Sequence, residues 1–334
     1  MDMLNWIECI KTSSRTKAMP ILSFPAIQLM GISVIDLISD SDKQARGMKC
    51  VADRIDALAS VSLMDLSVEA ECFGSQIRFS AEEVPTVIGS IISTYADADQ
   101  LAIPGVGSGR TGAYIDAIQK AVRLINDRPV FAGVIGPFSL VGRLMEVSKA
   151  MVCCYEQPEM VHLLLKKVSA FTIQYCRAYK AAGANGVIMA EPLAGLISRP
   201  LADQFSSVYI KTIVEAVQDQ NFIVIYHNCG NTTIKIIDSI LSTGASAYSF
   251  GNAINMGEMM RHIPLSVIGL GNVDPSGQLR SGTPESVREA TLSVLNDCSK
   301  YPNFVISSGC DIPPPASWEN IDAFFSAVKE FYRS

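Results

Sequence analysis

Two short stretches, about eighty residues apart, carry the side chains best suited to chemistry. Tyr226-His227-Asn228-Cys229-Gly230 follows the apolar run Phe222 to Ile225. Ser308-Gly309-Cys310-Asp311 follows Phe304-Val305-Ile306. Each reads as a buried strand whose last residues carry soft metal ligands. Residues i and i+2 of a strand share a face and lie roughly 6.5 Å apart. His227 and Cys229 can therefore converge on one ion, and Cys310 can complete a His/Cys/Cys set. Zinc accepts such a set at bond lengths of roughly 2.0–2.3 Å, and three protein ligands leave a fourth position open. Spacing alone leaves a second reading open, because a free cysteine also serves as a small buried hydrophobe. Two details favour the metal. The chain has only three histidines, and this one stands at the exit of a core strand. Both segments also end in glycine-containing turns.

These strand ends need a frame. Short apolar strands without alternation suit a parallel sheet buried on both faces. Strands are expected at 21–27, 61–66, 130–135, 187–190, 222–226, 247–250, 266–270 and 304–307. Helical patterns separate them at 114–126, 158–182, 200–218, 233–242, 284–300 and 318–332. Thr283 can cap the helix that Pro284 opens, and Gly244 can end the one before it. Eight strands with intervening helices predict a (β/α)8 TIM barrel, whose active site lies at the C-terminal strand ends. A doubly wound open sheet is the alternative. Residues 72–91 break the alternation. There Gln76-Ile77-Arg78-Phe79 reads as one arm of a hairpin beside the mouth, and Ser80-Ala81-Glu82-Glu83 as a helix start.

No linker or composition shift divides the chain. Residues 1–334 read as a single domain with an N-terminal helical extension. A hydrophobic fraction of 49% supports a large core. The net charge of −6, with no basic cluster, argues against nucleic acid as a partner. Nine cysteines form no disulfide framework, which points to a reducing cytoplasm. No secretory signal is visible at the start. The longest apolar stretch, Pro129 to Gly142, is too short for a membrane span of about 20 residues.

Other residues are weaker candidates. Gly107-Ser108-Gly109-Arg110-Thr111-Gly112 matches G-x-G-x-x-G, but Asp127 precedes the next strand instead of closing it. This stretch reads as a loop leading to the helix from Tyr114. His162 reads as packing or surface, and His262 as a cation near a helix end. Met259-Met260 reads as core, and Cys153-Cys154 as core thiols between helical segments.

The sequence resembles the uroporphyrinogen decarboxylase superfamily, and within it the cobalamin-dependent branch of methylcobamide:coenzyme M methyltransferase type. The resemblance runs over nearly the whole chain. It is carried by Met64-Asp65-Leu66-Ser67-Val68-Glu69-Ala70-Glu71, Gly136-Pro137-Phe138-Ser139-Leu140, His227-Asn228-Cys229-Gly230-Asn231-Thr232 and Ser308-Gly309-Cys310-Asp311-Ile312-Pro313. It implies a single (β/α)8 barrel with zinc on His227, Cys229 and Cys310. The activity it implies moves a methyl group from a methylcorrinoid, a co-substrate carried by a small corrinoid protein, to a small thiol such as coenzyme M. Decarboxylases of the superfamily carry two arginines after the first strand. Here that stretch is Pro25-Ala26-Ile27-Gln28-Leu29. A decarboxylase histidine is matched by Cys310, and a tyrosine by about Arg143. Their key aspartate has a counterpart in Asp65. Many methyltransferase relatives carry acids after the strand ending at Phe250, where this chain has Gly251-Asn252-Ala253. The fourth zinc ligand is then Asn252, Glu191 or water. Asp65 and Glu191 are expected to be catalytic carboxylates, and Asn252 and Asp274 cofactor contacts at the mouth. Each acid could equally be bonded to nearby loop amides. A metal-free decarboxylase, another corrinoid-linked methyltransferase with a non-thiol acceptor, and a non-catalytic barrel are the competing functions.

Overall fold

The structure is a computed structural model that describes residues 1–14 and 16–333. In chain order its strands are β1 Ser60–Val61, β2 Gln76–Arg78, β3 Thr86–Ile88, β4 Val130–Ile135, β5 Gly186–Ala190, β6 Ile223–Asn228, β7 Ala247–Phe250, β8 Ile268–Val273 and β9 Phe304–Ser308. Seven of them form one parallel sheet in the order β1-β4-β5-β6-β7-β8-β9. Every residue of these seven strands is buried, as their unbroken apolar runs require.

The sheet curls around an inner apolar cluster. Val61, Phe131, Ile188, Ile225, Ala247, Leu270 and Val305, one from each strand, belong to it. Their strand neighbours, such as Val187, Val224 and Ile306, face the helices outside. The helix Met3–Cys9 sits at the N-terminal end of the strands. It sends Met3 and Ile7 into the inner cluster and sets Trp6 5.8 Å from Phe131, centroid to centroid. The opposite end, where the chain leaves each strand, stays free for a site.

The strand expected at 21–27 does not form. Pro20 has no N–H to give a ladder, and Pro25 caps the helix Ala26–Met30. The preceding residues still touch both edges of the sheet. Leu58 N–H donates to Ala18 O at 2.9 Å, and Met19 N–H to Ile306 O at 3.0 Å. The strand expected at 61–66 shrinks to Ser60–Val61. The sheet is thus a curled parallel sheet of seven regular strands, not the eight anticipated.

Several helices were also not anticipated, among them Val34–Ser39, Ser41–Arg54, Pro137–Met145 and Val147–Glu156. The last of these carries Cys153 and Cys154, both buried, where the sequence suggested a gap between helices. The helix Pro284–Cys298 begins with the Thr283 cap as expected. Helix Thr111–Leu124 follows the glycine-rich loop. β2 and β3 form an antiparallel hairpin. Its turn contains Ser80–Glu83, where Ser80 Oγ accepts from the N–H groups of Glu82 and Glu83, so no helix starts there. Among the described residues no helix is long and apolar enough to cross a membrane.

Candidate metal centre

His227 is the second-last residue of β6, opposite Ser249 of β7 and Ala190 of β5. Ile223 and Ile225 point into the inner cluster, so strand parity turns His227 inward as well. The imidazole is 1% exposed. Its Nδ1 lies 3.0 Å from Ser249 Oγ, while Nε2 is buried with no partner. A proton on Nδ1, donated to Ser249, leaves the Nε2 lone pair aimed at whatever fills the site.

Cys229 follows β6 and Cys310 follows β9. Glycines let the neighbouring loops close over them. A Cβ on Gly251 would stand 2.5 Å from Cys229 Cα, and one on Gly309 would stand 2.7 Å from Asn252 N. Behind Cys229, the Asn228 amide donates to Glu191 O at 2.6 Å, and its oxygen accepts from Gly230 N–H at 2.9 Å and the Thr233 hydroxyl at 2.7 Å. These bonds pin the turn that presents the thiol.

The ligand atoms of His227, Cys229 and Cys310 all lie within 4.8 Å of one another. Tetrahedral zinc would hold them roughly 3.3–3.8 Å apart, so small side-chain adjustments suffice. The donor set itself fits the ion: one imidazole with an orphaned nitrogen, and two thiol sulfurs within reach of it. The hydrogen bond from Cys310, together with His227 nearby, holds the Cys229 thiol far below its usual range. Cys310, donating to that sulfur and buried, is pushed up. Among the described residues, no further His, Cys or acidic ligand atom joins this group.

Ser249 should therefore tune the metal. Ser249→Ala removes the acceptor that fixes the His227 tautomer. Metal affinity should fall about 10- to 100-fold, as is usual for loss of such a partner. Competition for zinc against a chromophoric chelator measures this. An unchanged constant would show that Ser249 does not orient the ring.

The expected carboxylates lie elsewhere in the surrounding structure. Asp65 is buried just past β1. Its Oδ1 accepts from Ser67 N–H at 3.1 Å and the Ser67 hydroxyl at 2.5 Å. Its Oδ2 accepts from the Tyr114 hydroxyl at 2.9 Å and from Arg110 Nη1. Glu191 is wholly buried and turned away from the sulfurs. Its carboxylate takes Phe138 N–H at 3.0 Å, Ser139 N–H at 2.6 Å and the Ser139 hydroxyl. It thus caps the helix Pro137–Met145, and burial raises its pKa to about 7 against those bonds. Asp274 accepts from Ser276 and Gly277 N–H, both at 2.9 Å, capping the turn that follows β8. Asn252 is exposed and packs on Gly309, beside Cys310. The other histidines are remote from any ligand set. His162 lies 2.7 Å from the Tyr209 hydroxyl and stacks on Phe205, and His262 is exposed.

Sequence reasoning missed three features. Arg110 joins Asp65 to Ser67 (2.8 Å) and Glu71 (2.6 Å). Its only sequence signal was its place inside the glycine-rich loop. Asp311, next to Cys310, has a buried Oδ1 without a partner, and burial pushes its carboxyl well up. It borders a cavity of about 500 Å3 shared with Gln28, Glu83 and Arg280. Glu69 is buried, accepts from Ile135 N–H at 3.0 Å, and is raised by burial to about 8.

Comparison with known proteins places this arrangement. Residues 16–331 match the family described as uroporphyrinogen decarboxylase (URO-D). The chain is 28% identical over 273 residues to a methylcobamide:CoM methyltransferase of Methanosarcina acetivorans, covering 80% of this chain and 78% of that one. It is 27% identical over 288 residues to a uroporphyrinogen decarboxylase of Coxiella burnetii, covering 82% and 77%. A solved methyltransferase from Methanosarcina mazei shares the fold with a TM-score of 0.83 at 21% identity, over 95% of this chain and 93% of that one. A match that runs from residue 16 to residue 331 of a 334-residue chain makes this protein a member of the uroporphyrinogen decarboxylase family.

Proposed function

We propose that this protein moves a methyl group from a methylated corrinoid to a thiol, at a zinc ion held by His227, Cys229 and Cys310. The observation that carries the reading is the buried, unpartnered Nε2 of His227 beside two thiols. The methyltransferases among its relatives support it. In this reading the segment 18–23 takes the place of the eighth barrel strand, and residues 1–334 act as one domain.

Zinc in this site supplies Lewis acidity that keeps a substrate thiol ionised at neutral pH. The protein groups do the rest. Ser249 keeps the His227 ring oriented. Cys229 and Cys310 contribute two negative charges, which leave the site electron-rich. Among the described residues no acidic group joins the three ligands, and the fourth position is the one we assign to the incoming sulfur. The substrate sulfur attacks the methyl carbon of methyl-cobalt(III). A C–S bond forms, the Co–C bond breaks, and its electron pair leaves with cobalt(I). The fixed strand ends hold sulfur and carbon in line.

A corrinoid is too large for the curled sheet, so a small corrinoid protein presents it at the mouth. Asn252, exposed beside Cys310, is the contact we assign to it. Asp65 and Glu191, saturated by donors, serve as positioning residues, and Asp274 retains its cap. Nine cysteines, none of them in a disulfide, fit a reducing cytoplasm. Decarboxylation is disfavoured at Gln28, which stands in the stretch where decarboxylase arginines would be. Its amide donates to Pro314 O at 2.7 Å and Ala316 O at 2.8 Å.

Zinc-loaded protein should convert free methylcobalamin and 2-mercaptoethanesulfonate to the thioether and cobalt(I), read from the corrinoid spectrum. The rate should rise with pH and then flatten well below the free thiol's pKa, since ionisation is completed in the site. If no thiol is methylated, with or without a cognate corrinoid protein, the reading fails. Turnover of uroporphyrinogen would put the decarboxylase in its place.

A further inference from the structure

We propose that the cavity bordered by Asp311 binds a small organic ligand through an ammonium group. None of the three metal ligands lines this cavity, and the inference does not rest on the methyl-transfer reading.

The cavity has a volume of about 500 Å3, which suits a small molecule. Four pieces of chain enclose it. They are the helix Ala26–Met30, the turn between β2 and β3, the segment after β8 that ends at Arg280, and the residues that follow Cys310. Asp311 is the next residue after Cys310, and consecutive Cα atoms are about 3.8 Å apart. Even with both side chains extended, its carboxylate stays within roughly 10 Å of the Cys310 sulfur.

Asp311 Oδ1 is buried and has no hydrogen-bond partner. Among the described residues it is the one carboxylate oxygen in that state. The other buried acids, Asp65, Glu69 and Glu191, all accept hydrogen bonds. A buried acceptor left unmet is costly, so a missing donor is implied. The walls do not provide it. Pro313, Pro314 and Pro315 have no N–H to give. The Gln28 amide spends both hydrogens on Pro314 O and Ala316 O. The N–H groups of Glu82 and Glu83 go to Ser80 Oγ, and those of Ile27 and Gln28 to Phe24 O and Pro25 O. Arg280 is the one lining side chain with donors to spare, and it is exposed and makes no bond to Asp311 Oδ1.

The walls also select the kind of ligand. They set the carboxylates of Asp311, Glu82 and Glu83 against the single guanidinium of Arg280, which disfavours an anion. An ammonium group brings both N–H donors and the opposite charge, and hydrogen bonds between ionised partners are the strong ones. A metal ion fits less well. Among the described residues the one converging set of three or more His, Cys or acidic ligand atoms is that of His227, Cys229 and Cys310. Hard cations require about six oxygens or more. Ile27, Val84 and the three prolines give the ligand's carbon body an apolar wall.

Ligand-observed NMR titration of zinc-loaded protein tests this with propylamine, which is protonated at neutral pH, and with 1-propanol and propionate, which have the same reach. The wild type should bind propylamine at least about tenfold more tightly than either, the scale of one hydrogen bond to a charged group. Asp311→Asn should erase that preference. Val84→Trp, which fills the cavity and leaves Asp311 in place, should abolish propylamine binding and keeps the test valid if Asp311→Asn does not fold. 2-Aminoethanethiol separates two sources of the ammonium group. If it binds more tightly than propylamine, and the gain vanishes in Cys310→Ala, the group belongs to a thiol that reaches the metal centre. If the two amines bind alike, the cavity takes a free amine, and either result supports the site. Equal affinity for propylamine and propanol, a preference for propionate, or an amine preference that survives Asp311→Asn or Val84→Trp would overturn it.

Discussion

Protein with Cys310 replaced by alanine should emerge from purification with almost no zinc, whereas the wild type carries about one ion per chain. Three protein ligands are the fewest that catalytic zinc sites employ, and a two-ligand site exchanges its ion with any chelator. Loss of a mere orienting partner costs about 10- to 100-fold in metal affinity, so loss of a ligand should cost more than about 100-fold. The fold should survive. Cys310 lies past the end of β9 and is not fully buried, so its truncation opens little cavity. Unchanged circular dichroism with absent zinc is the expected pair of results. His227→Ala should lose zinc as well, because it removes the one orphaned nitrogen at the site. Stoichiometric zinc in the Cys229→Ala/Cys310→Ala double variant would show that the ion binds elsewhere. Methyl transfer to thiols should disappear in step with the metal.

The grouping of His227, Cys229 and Cys310 was legible because strand parity is written in the sequence. Ile223, Ile225 and His227 alternate along β6, and Cys229 continues the same face just beyond it. Cys310 was legible from residue type and from the apolar run before it, although parity does not extend two residues past β9. The same rule explains why Glu191 does not line the site. Ile188 and Ala190 face inward, so the next residue faces outward, onto the helix Pro137–Met145. That helix was hidden for a related reason. Pro129 to Gly142 reads as one apolar run, and only Gly136-Pro137 marks where the strand gives way to a helix. The expected strand at 21–27 failed because Pro20, just before it, and Pro25, within it, cannot donate to a ladder. Arg110 could not be assigned at all. Its partners at 65, 67 and 71 are brought to it by the insertion between β1 and β4, and no local pattern encodes that approach.

That arginine supports the second large prediction, a loss of about 3 kcal/mol of stability in Arg110→Ala. The Arg110 side chain is 12% exposed and that of Asp65 is 0% exposed. Removing one member of a buried ion pair strands the other, which typically costs 3–5 kcal/mol. The lower end applies here because Ser67 and Tyr114 still donate to Asp65. Glu71 also loses its partner, but it is 25% exposed and water can replace the arginine there. The guanidinium further lies 5.1 Å from the Phe79 ring centroid, so the hairpin of β2 and β3 loses an anchor. Urea unfolding at neutral pH reads the change as a shift in midpoint. Asp65→Asn in the Arg110→Ala background removes the stranded charge and should recover a good part of the loss, giving a coupling energy of about 1–3 kcal/mol. Zinc content should stay near one in each of these proteins, because the clamp stands apart from the ligand set. Methyl transfer should weaken in Asp65→Asn, where the strand end that borders the mouth loses its cross-links. An Arg110→Ala protein within about 0.5 kcal/mol of the wild type would mean that the network is satisfied by water and clamps nothing.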